Sequence, residues 1–203
     1  MALASLAAAG CGTLTSYQSA EPVEPGRWRV AAALTGGGFA DREQASRLPF
    51  AQAELEVRRG VAEDTDVGLK LYTVGAEVSG RHRLRAGRWQ WAMAGAVGGI
   101  RNRDRALVTD GLLLHARATT IATRRTSARW AFSAAPTLTL SRYWFDGGGA
   151  ASGLLLGATA NAERRLGARW RLVPELGVHA TVAGEVPLVG FVGHLGVGVA
   201  VDL

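Results

Sequence analysis

The final stretch of the chain, residues 188–203, alternates between larger apolar side chains and small or polar ones. Counted back from the C-terminus, the apolar positions include Leu203, Val201, Val199, Val197, Leu195 and Phe191. A period of two predicts a β-strand with one apolar face and one small, polar face. A strand of this length is unusual in a soluble domain, where about 5–6 residues are typical, and suits a strand that crosses a membrane.

The same alternation recurs along the chain and predicts about ten strands. They are expected near residues 27–35, 50–59, 66–74, 76–86, 88–98, 107–123, 128–142, 152–164, 169–182 and 188–203. Short turns alternate with longer polar connections, as in an antiparallel sheet with tight turns at one end and loops at the other. The pattern predicts an all-β fold, an antiparallel transmembrane up-and-down β-barrel. Eight or twelve strands are open alternatives, because the alternation is weak in residues 99–123.

Four of the six tryptophans occupy equivalent positions, just after a turn and at the first outward position of a strand. They are Trp28, Trp89, Trp130 and Trp170, and an arginine precedes each of them. Tryptophan prefers the membrane–water interface, where its ring is in an apolar environment and its N–H group stays hydrated. The four residues are therefore predicted to form an aromatic girdle at one end of the barrel.

The N-terminal region contains the only cysteine of the chain, Cys11. The small residues before it resemble a bacterial lipoprotein signal, in which Cys11 would carry the lipid. An ordinary signal peptide and a tail with an incidental cysteine are the alternatives. The chain is accordingly divided into an incomplete signal-like segment at residues 1–11, a Pro-rich flexible tether at 12–26 and a barrel domain at 27–203.

The face opposite the apolar one carries charged residues at mid-strand. They are Glu54, Glu56, Arg58, Lys70, Arg81, Arg83, Arg85, Arg171 and Glu175. Inside a narrow barrel they are expected to form a paired network that fills the lumen, since an isolated buried charge is costly. Alternation alone also permits a soluble periplasmic β-barrel with its apolar face inward, holding an apolar ligand. The tryptophan positions, the strand lengths and the export signal favour the membrane arrangement.

The charge balance points to lipid rather than nucleic acid as a partner. The net charge is +6, and Lys70 is the only lysine. The arginines are spread over turns and alternate positions and form no basic helix or stripe, so no nucleic-acid partner is predicted. Acidic lipid head groups suit a membrane barrel better. No cofactor or metal motif is found.

Residues 26–203 resemble a bacterial outer-membrane β-barrel protein. The resemblance implies a location in the outer membrane, with both termini in the periplasm because the strand number is even. It also implies insertion by the barrel-assembly machinery, which reads a C-terminal strand of this kind, although Leu203 stands where the family has an aromatic residue. Phosphates of lipopolysaccharide would pair with the loop residues Arg101, Arg103 and Arg105. The oligomeric state is left open.

A catalytic interpretation has one candidate site. If the last hairpin turns near Glu185, His179 and His194 face the lumen on adjacent strands, with Glu175 on the same face. Structural histidines are the simpler interpretation, and a barrel-embedded hydrolase is retained as an alternative. The expected function is a structural, adhesive or narrow-channel role for a lipid-anchored barrel that is not an enzyme.

Overall fold

The structure is a computed structural model, and it describes residues 14–40, 47–102, 111–184 and 190–203. Ten β-strands run through these residues: β1 (Trp28–Ala40), β2 (Arg47–Ala62), β3 (Thr65–Tyr72), β4 (Gly75–Arg85), β5 (Trp89–Asn102), β6 (Gly111–Arg125), β7 (Trp130–Phe145), β8 (Ala150–Arg165), β9 (Trp170–Gly184) and β10 (Phe191–Asp202). Each predicted segment corresponds to one strand. The largest difference is in β1, which extends five residues beyond its predicted end at residue 35.

The sheet is closed. Each strand pairs antiparallel with its neighbours in sequence, and β1 pairs with β10. Val30 lies opposite Val201 in this last pairing, and the Leu203 N–H donates to the Trp28 carbonyl at 2.8 Å. Each described strand therefore has a partner on both sides, which removes the free edges of an open sheet. The predicted ten-stranded antiparallel barrel is confirmed, and its C-terminal strand is the one that closes it.

The two ends of the barrel differ. Four short connections, at residues 63–64, 86–88, 126–129 and 166–169, lie at the end where β1 begins and β10 ends. We call this end the turn end and the opposite one the loop end. Gly87 and Gly167 have φ values of +138° and +99°, a region that other residues rarely adopt. These glycines allow the chain to reverse within three or four residues.

The wall of the barrel is apolar outside and polar inside. On the outer face, Leu140, Leu176 and Leu195 expose 58%, 56% and 66% of their surface. On the inner face, Lys70 and Arg81 each expose only 2%. This distribution is the inverse of that in a soluble β-protein and is expected when lipid surrounds a polar lumen. The described residues include no helix with the length and hydropathy of a membrane span.

The four tryptophans each begin a strand at the turn end, and they expose between 37% and 52% of their surface. Three of them lie directly opposite an arginine of the neighbouring strand: Trp28 opposite Arg59, Trp89 opposite Arg124, and Trp130 opposite Arg164. The guanidinium carbons lie 5.2, 5.6 and 5.4 Å from the ring centroids. These are cation–π contacts, and they combine aromatic rings and positive charge on one outer band of the barrel.

Residues 14–25 differ from the predicted flexible tether, because residues 14–23 run inside the barrel and the exposed Glu24 and Pro25 lead into it from the turn end. Thr15, Ala20 and Val23 expose 3%, 0% and 2% of their surface. An eight-stranded barrel has an interior that side chains just fill, so ten strands enclose extra space. A segment of main chain with short polar side chains occupies that space, and its hydrogen-bonding groups face the lumenal charges. We call residues 14–25 the plug segment.

Candidate functional site

The plug segment enters the lumen at the turn end. Pro25 forms a parallel bridge with Gly60, and the Gly26 N–H donates to the Gly60 carbonyl at 2.9 Å. The chain reverses at Gly26, whose φ is +77°. A Cβ atom on Gly60 would collide with the Glu24 carbonyl, so this close approach requires glycine.

The segment then runs towards the loop end. Val23 contacts Asp66 near the start of β3, whereas Thr15 contacts Lys70 further along the same strand. Arg117, in the middle of β6, also donates to Thr15. The described chain therefore begins deep inside the lumen.

Side chains of the barrel wall bind the main chain of the plug segment at eight points. Four backbone N–H groups donate to the wall: Ser16 and Tyr17 to Glu175 at 2.8 and 2.6 Å, Ala20 to Thr123 at 2.7 Å, and Val23 to Asp66 at 2.8 Å. Three carbonyls accept from the wall: Thr15 from Lys70 and Arg117 at 3.0 and 3.1 Å, Gln18 from Asn161 at 3.0 Å, and Ser19 from Arg81 at 2.6 Å. Five of the wall groups are charged, and such hydrogen bonds are stronger than those between neutral groups.

The side chains of the plug segment add further contacts. The Thr15 hydroxyl donates to Glu54 at 2.8 Å, and Gln18 donates to Glu56 at 3.1 Å. The Tyr17 hydroxyl lies against Gly196, where a Cβ atom would collide with it. A glycine on the small face of β10 thus makes room for the largest side chain of the segment.

Glu21 anchors the turn-end part of the plug segment. Its carboxylate accepts from Arg125 at 2.6 Å, Arg165 at 2.7 Å and Arg171 at 3.4 Å. Burial by itself raises the pKa of the Glu21 carboxyl, but the three positive charges outweigh burial and hold the pKa below its usual range. Glu21 is therefore ionised at neutral pH.

The charges of the wall are paired around the plug segment. Two pairs join predicted lumenal residues: Arg58 with Glu56 at 2.8 Å, and Lys70 with Glu54 at 3.5 Å. Asp66 bridges Arg58 and Arg81, one through each carboxylate oxygen. Because these groups are almost fully buried, their pairing offsets a large desolvation cost.

The remaining predicted charges have different surroundings. Arg171 pairs with Glu163 at 2.8 Å and Asp202 at 2.7 Å. Arg83 lies at the turn-end rim, where it donates to Asp64 at 2.7 Å, and Arg85 is exposed. Arg83 keeps the inward phase of β4, opposite the buried Ala92. The lumenal position predicted for Arg85 is corrected, because the pairing of β4 with β5 shifts register after Arg83 and sets Arg85 opposite the exposed Trp91.

Several lumenal charges lie outside the predicted network of nine residues. They are Glu21, Asp66, Glu77, Arg117, Glu163 and Asp202. Glu77 and Arg117, for example, form a pair at 2.6 Å. All but Glu21 share the alternation phase of the inward residues on their own strands, and this phase was the available signal. Glu21 gave no such sequence signal, because the plug segment has no alternation of apolar and polar residues.

Two small gaps lie between the described plug segment and the barrel wall. One gap, next to Tyr17 and Lys70, has a volume of about 20 Å³. Another, next to Gln18 and Arg117, has about 10 Å³. Each is of the order of one water molecule. At the loop end the lumen is lined by an apolar cluster, which consists of Tyr72, Ile100, Leu113 and Tyr143.

His179 and His194 lie side by side, with ring centroids 5.7 Å apart and ring planes at 20°. His194 Nε2 is 3.5 Å from a carboxylate oxygen of Glu175. Each ring packs over a glycine of the adjacent strand, where a Cβ atom on Gly157 or Gly177 would collide with it. Among the described residues, no hydroxyl hydrogen-bonds to either imidazole, and no group of three His, Cys, Asp or Glu residues could hold a metal ion. The pair therefore lacks the nucleophile–base contact of a hydrolase.

The outer wall carries one apolar groove near the loop end, with a volume of about 810 Å³. Its lining includes Leu114, Leu140 and Leu154, with Arg142 and Ser152 as polar neighbours. The guanidinium carbon of Arg142 lies 5.2 Å from the centroid of the Trp144 ring. Cys11, Arg103 and Arg105, which the sequence singled out, lie outside the described residues.

Comparison with known proteins gives the fold alone. No protein-family model matches the chain, and no curated protein sequence matches it significantly. Among solved structures, it is similar to Ail, the attachment invasion locus protein of Yersinia pestis, in complex with the heparin analogue sucrose octasulfate. The identity is 11% and the TM-score 0.51, over 88% of this chain and 99% of that one. Neisserial surface protein A is 16% identical, with a TM-score of 0.47, over 86% of this chain and 96% of that one.

Proposed function

We propose that this chain is a β-barrel protein of a bacterial outer membrane, closed by its own plug segment, with a structural or adhesive role and no open pore. The turn end faces the periplasm and the loop end faces outward, following the usual placement of short turns and long loops. The apolar outer wall and the tryptophan band support the membrane location. In the same proposal, the barrel-assembly machinery recognises β10 when it inserts the chain into the membrane.

The filled lumen is the observation that carries this proposal. The plug segment crosses much of the barrel, and two gaps between its described residues and the wall have volumes of about 20 and 10 Å³. A hydrated ion cannot pass through spaces of this size. The alternative of a soluble barrel with an apolar ligand inside is disfavoured, because the lumen is charged and the outer wall is apolar.

Conductance in planar lipid bilayers tests the closed lumen. The intact chain is expected to give no stable conductance steps, whereas a variant that lacks residues 14–24 is expected to give steps. Stable, ion-selective steps from the intact chain would contradict the proposal. A deletion variant that inserts, shows heat-modifiable migration and stays closed would show that the plug segment is not what closes the lumen.

We also propose lipopolysaccharide as a partner of the outer wall. The groove beside Leu140 suits an acyl chain, and Arg142 on its edge suits a phosphate group. Native mass spectrometry after addition of lipopolysaccharide tests this proposal. Arg142→Ala is expected to lose the bound lipid, while Arg88→Ala, at an exposed arginine of a turn, is expected to keep it. Equal retention by both variants would count against the groove.

We also propose that Cys11 carries a lipid, and the position of Thr15 inside the lumen limits where that lipid can lie. Cys11 is four residues from Thr15, so their Cα atoms are at most about 14 Å apart. Arg117, which binds Thr15, is eight residues from the turn-end limit of β6 at Arg125, a height of about 20 Å for a tilted strand. A lipid on Cys11 could therefore enter the periplasmic leaflet only if the plug segment leaves the lumen. Metabolic labelling with a radioactive fatty acid, with Cys11→Ser as the control, tests whether the lipid is attached.

A further inference from the structure

We propose that the lumen is a binding channel for a polypeptide segment, which it recognises through the main chain together with a few side chains. The plug segment then occupies a site of its own barrel that a separate peptide can occupy in its place. The basis is the set of eight hydrogen bonds from wall side chains to backbone groups of the segment. A site that binds backbone groups tolerates different side chains at the same positions.

Glu175 shows that the wall is built for an occupant. Its surface is 1% exposed, and its two oxygens accept the backbone N–H groups of Ser16 and Tyr17 and the hydroxyl of Ser16. Among the described residues, no lysine or arginine forms an ion pair with Glu175, and His194 Nε2 lies 3.5 Å from its Oε1. A buried carboxylate needs donors. Here the plug segment supplies three of them, two from its main chain.

The carbonyl-binding groups lie on other strands. Lys70 on β3, Arg81 on β4 and Arg117 on β6 all donate to plug carbonyls, and they expose no more than 9% of their surface. Donors to carbonyls and acceptors for N–H groups therefore surround the path of one main chain. This arrangement is what a site for a polypeptide segment needs.

The contacts also define the class of peptide. The occupant has about ten residues, matching residues 14–23, and takes a left-handed backbone conformation at the position of Tyr17, whose φ is +43°. It carries small or polar side chains where Ser16, Ser19 and Ala20 are buried, and a carboxylate at the position of Glu21 to meet the arginines of the turn end. The amino end of the peptide points towards the loop end.

This inference rests on the same plug segment as the proposed closed lumen, but the two can fail separately. Conductance reports whether the lumen is closed, whereas peptide exchange reports whether the segment is a replaceable ligand. A barrel that stays closed and never exchanges its segment would refute only the binding channel.

A cleavable full chain provides the first test. A protease recognition site is inserted between Gly26 and Arg27, both of which are exposed at the turn end, and the folded protein is cut in detergent micelles. The cleaved segment is expected to stay bound and to exchange with a fluorescent peptide of residues 14–26 at one peptide per barrel. Immediate loss of the segment with no rebinding, or a segment that never exchanges, would overturn the proposal.

Peptide variants distinguish main-chain from side-chain recognition. A peptide with Ser19 and Ala20 interchanged and Gln18 replaced by alanine, and with Tyr17, Glu21 and Pro22 in place, is expected to bind within about tenfold of the native sequence. N-methylation at the Tyr17 nitrogen removes a donor to Glu175 and is expected to weaken binding by at least about tenfold. N-methylation at Ser19, whose nitrogen makes none of the eight contacts, is the control. Strong loss with the side-chain variant and little loss on Tyr17 methylation would contradict main-chain recognition.

A shortened chain keeps the proposal testable if the inserted protease site prevents folding. This chain begins at Arg27 and is refolded with and without the peptide of residues 14–26. The peptide is expected to raise the yield of the heat-modifiable form. In the shortened chain, Glu175→Gln is expected to weaken peptide binding at least about tenfold, while Glu63→Gln, in an exposed turn, leaves it unchanged. Equal binding by both variants would refute the assigned role of Glu175.

Discussion

Ser16 donates to Glu175 twice, from its backbone N–H to Oε1 at 2.8 Å and from its hydroxyl to Oε2 at 2.7 Å. The two residues are 159 positions apart in sequence. This double contact joins the start of the described chain to the inner face of β9. It ties the chain segment ahead of the barrel to the barrel wall.

Replacement of Glu175 by glutamine is expected to loosen the plug segment. The amide keeps the size of the side chain but removes the charge and turns one acceptor into a donor. We expect the local opening free energy to fall by about 2 kcal/mol, which corresponds to roughly thirtyfold faster hydrogen exchange at the Ser16 and Tyr17 amides. Glu63→Gln, in the β2–β3 turn, is the matched control. Unchanged exchange in Glu175→Gln would mean that these contacts do not hold the segment.

Replacement of Glu21 by glutamine is expected to have a smaller effect that depends on salt. Its partners Arg125 and Arg165 keep 26% and 31% of their side chains exposed, so solvent screens these pairs. We expect the local opening free energy of the turn-end part of the plug segment to fall by about 0.5–1 kcal/mol. Hydrogen exchange at the Val23 amide in low and high salt measures it. A loss that is equal at both salt concentrations would argue against screened ion pairs.

Acid is expected to weaken the same anchor. The pKa of Glu21 is lower in the folded chain than in the unfolded one. Its contribution is therefore fully present above the ordinary glutamate pKa of about 4.3 and is lost as the pH falls through the lower folded value. The difference in Val23 exchange between wild type and Glu21→Gln should be constant at neutral pH and shrink below about pH 4. A difference that grows in acid would contradict the sign of the shift.

Replacement of Gly157 by alanine is expected to destabilise the barrel. The new methyl group would collide with the ring of His179, which is buried and has little room to move. Overpacking of this kind costs about 1–3 kcal/mol in unfolding free energy, measured with urea in lipid vesicles. The double variant Gly157→Ala with His179→Ala should recover part of the loss. Gly95→Ala is the control, since a Cβ there meets nothing within 4 Å.

Two leucine-to-arginine substitutions test which side of the wall faces lipid. Leu176 lies in the middle of β9 and exposes 56% of its surface, whereas Leu166 lies in the β8–β9 turn and exposes 49%. In a membrane, Leu176→Arg is expected to lower the unfolding free energy by about 2–4 kcal/mol and Leu166→Arg by about 0–1 kcal/mol. Unfolding from vesicles measures both values. Similar small losses at the two positions would favour a barrel surrounded by water.

The strands could be read from the sequence because their signal is local. Trp28, Trp130 and Trp170 mark strand starts, and alternation fixes which residues share a face. Arg85 was misplaced because a register irregularity interrupts the alternation of β4.

The plug segment could not be read in the same way, because its partners are distant and it has no period. Thr15 contacts Glu54 across 39 positions, and Ala20 contacts Thr123 across 103. Its Pro-rich, polar composition is equally compatible with a tether in water. The remaining hint was physical: ten strands enclose more space than inward side chains alone can fill.

The direction of the plug segment has a practical consequence for labelling the protein. A tag after Leu203 leaves the molecule at the turn end, next to Trp28. A tag ahead of residue 14 has to pass through the lumen or remain in it, although β1 and β10 are neighbours in the sheet. Bulky N-terminal fusions should therefore hinder seating of the segment, and C-terminal fusions should not.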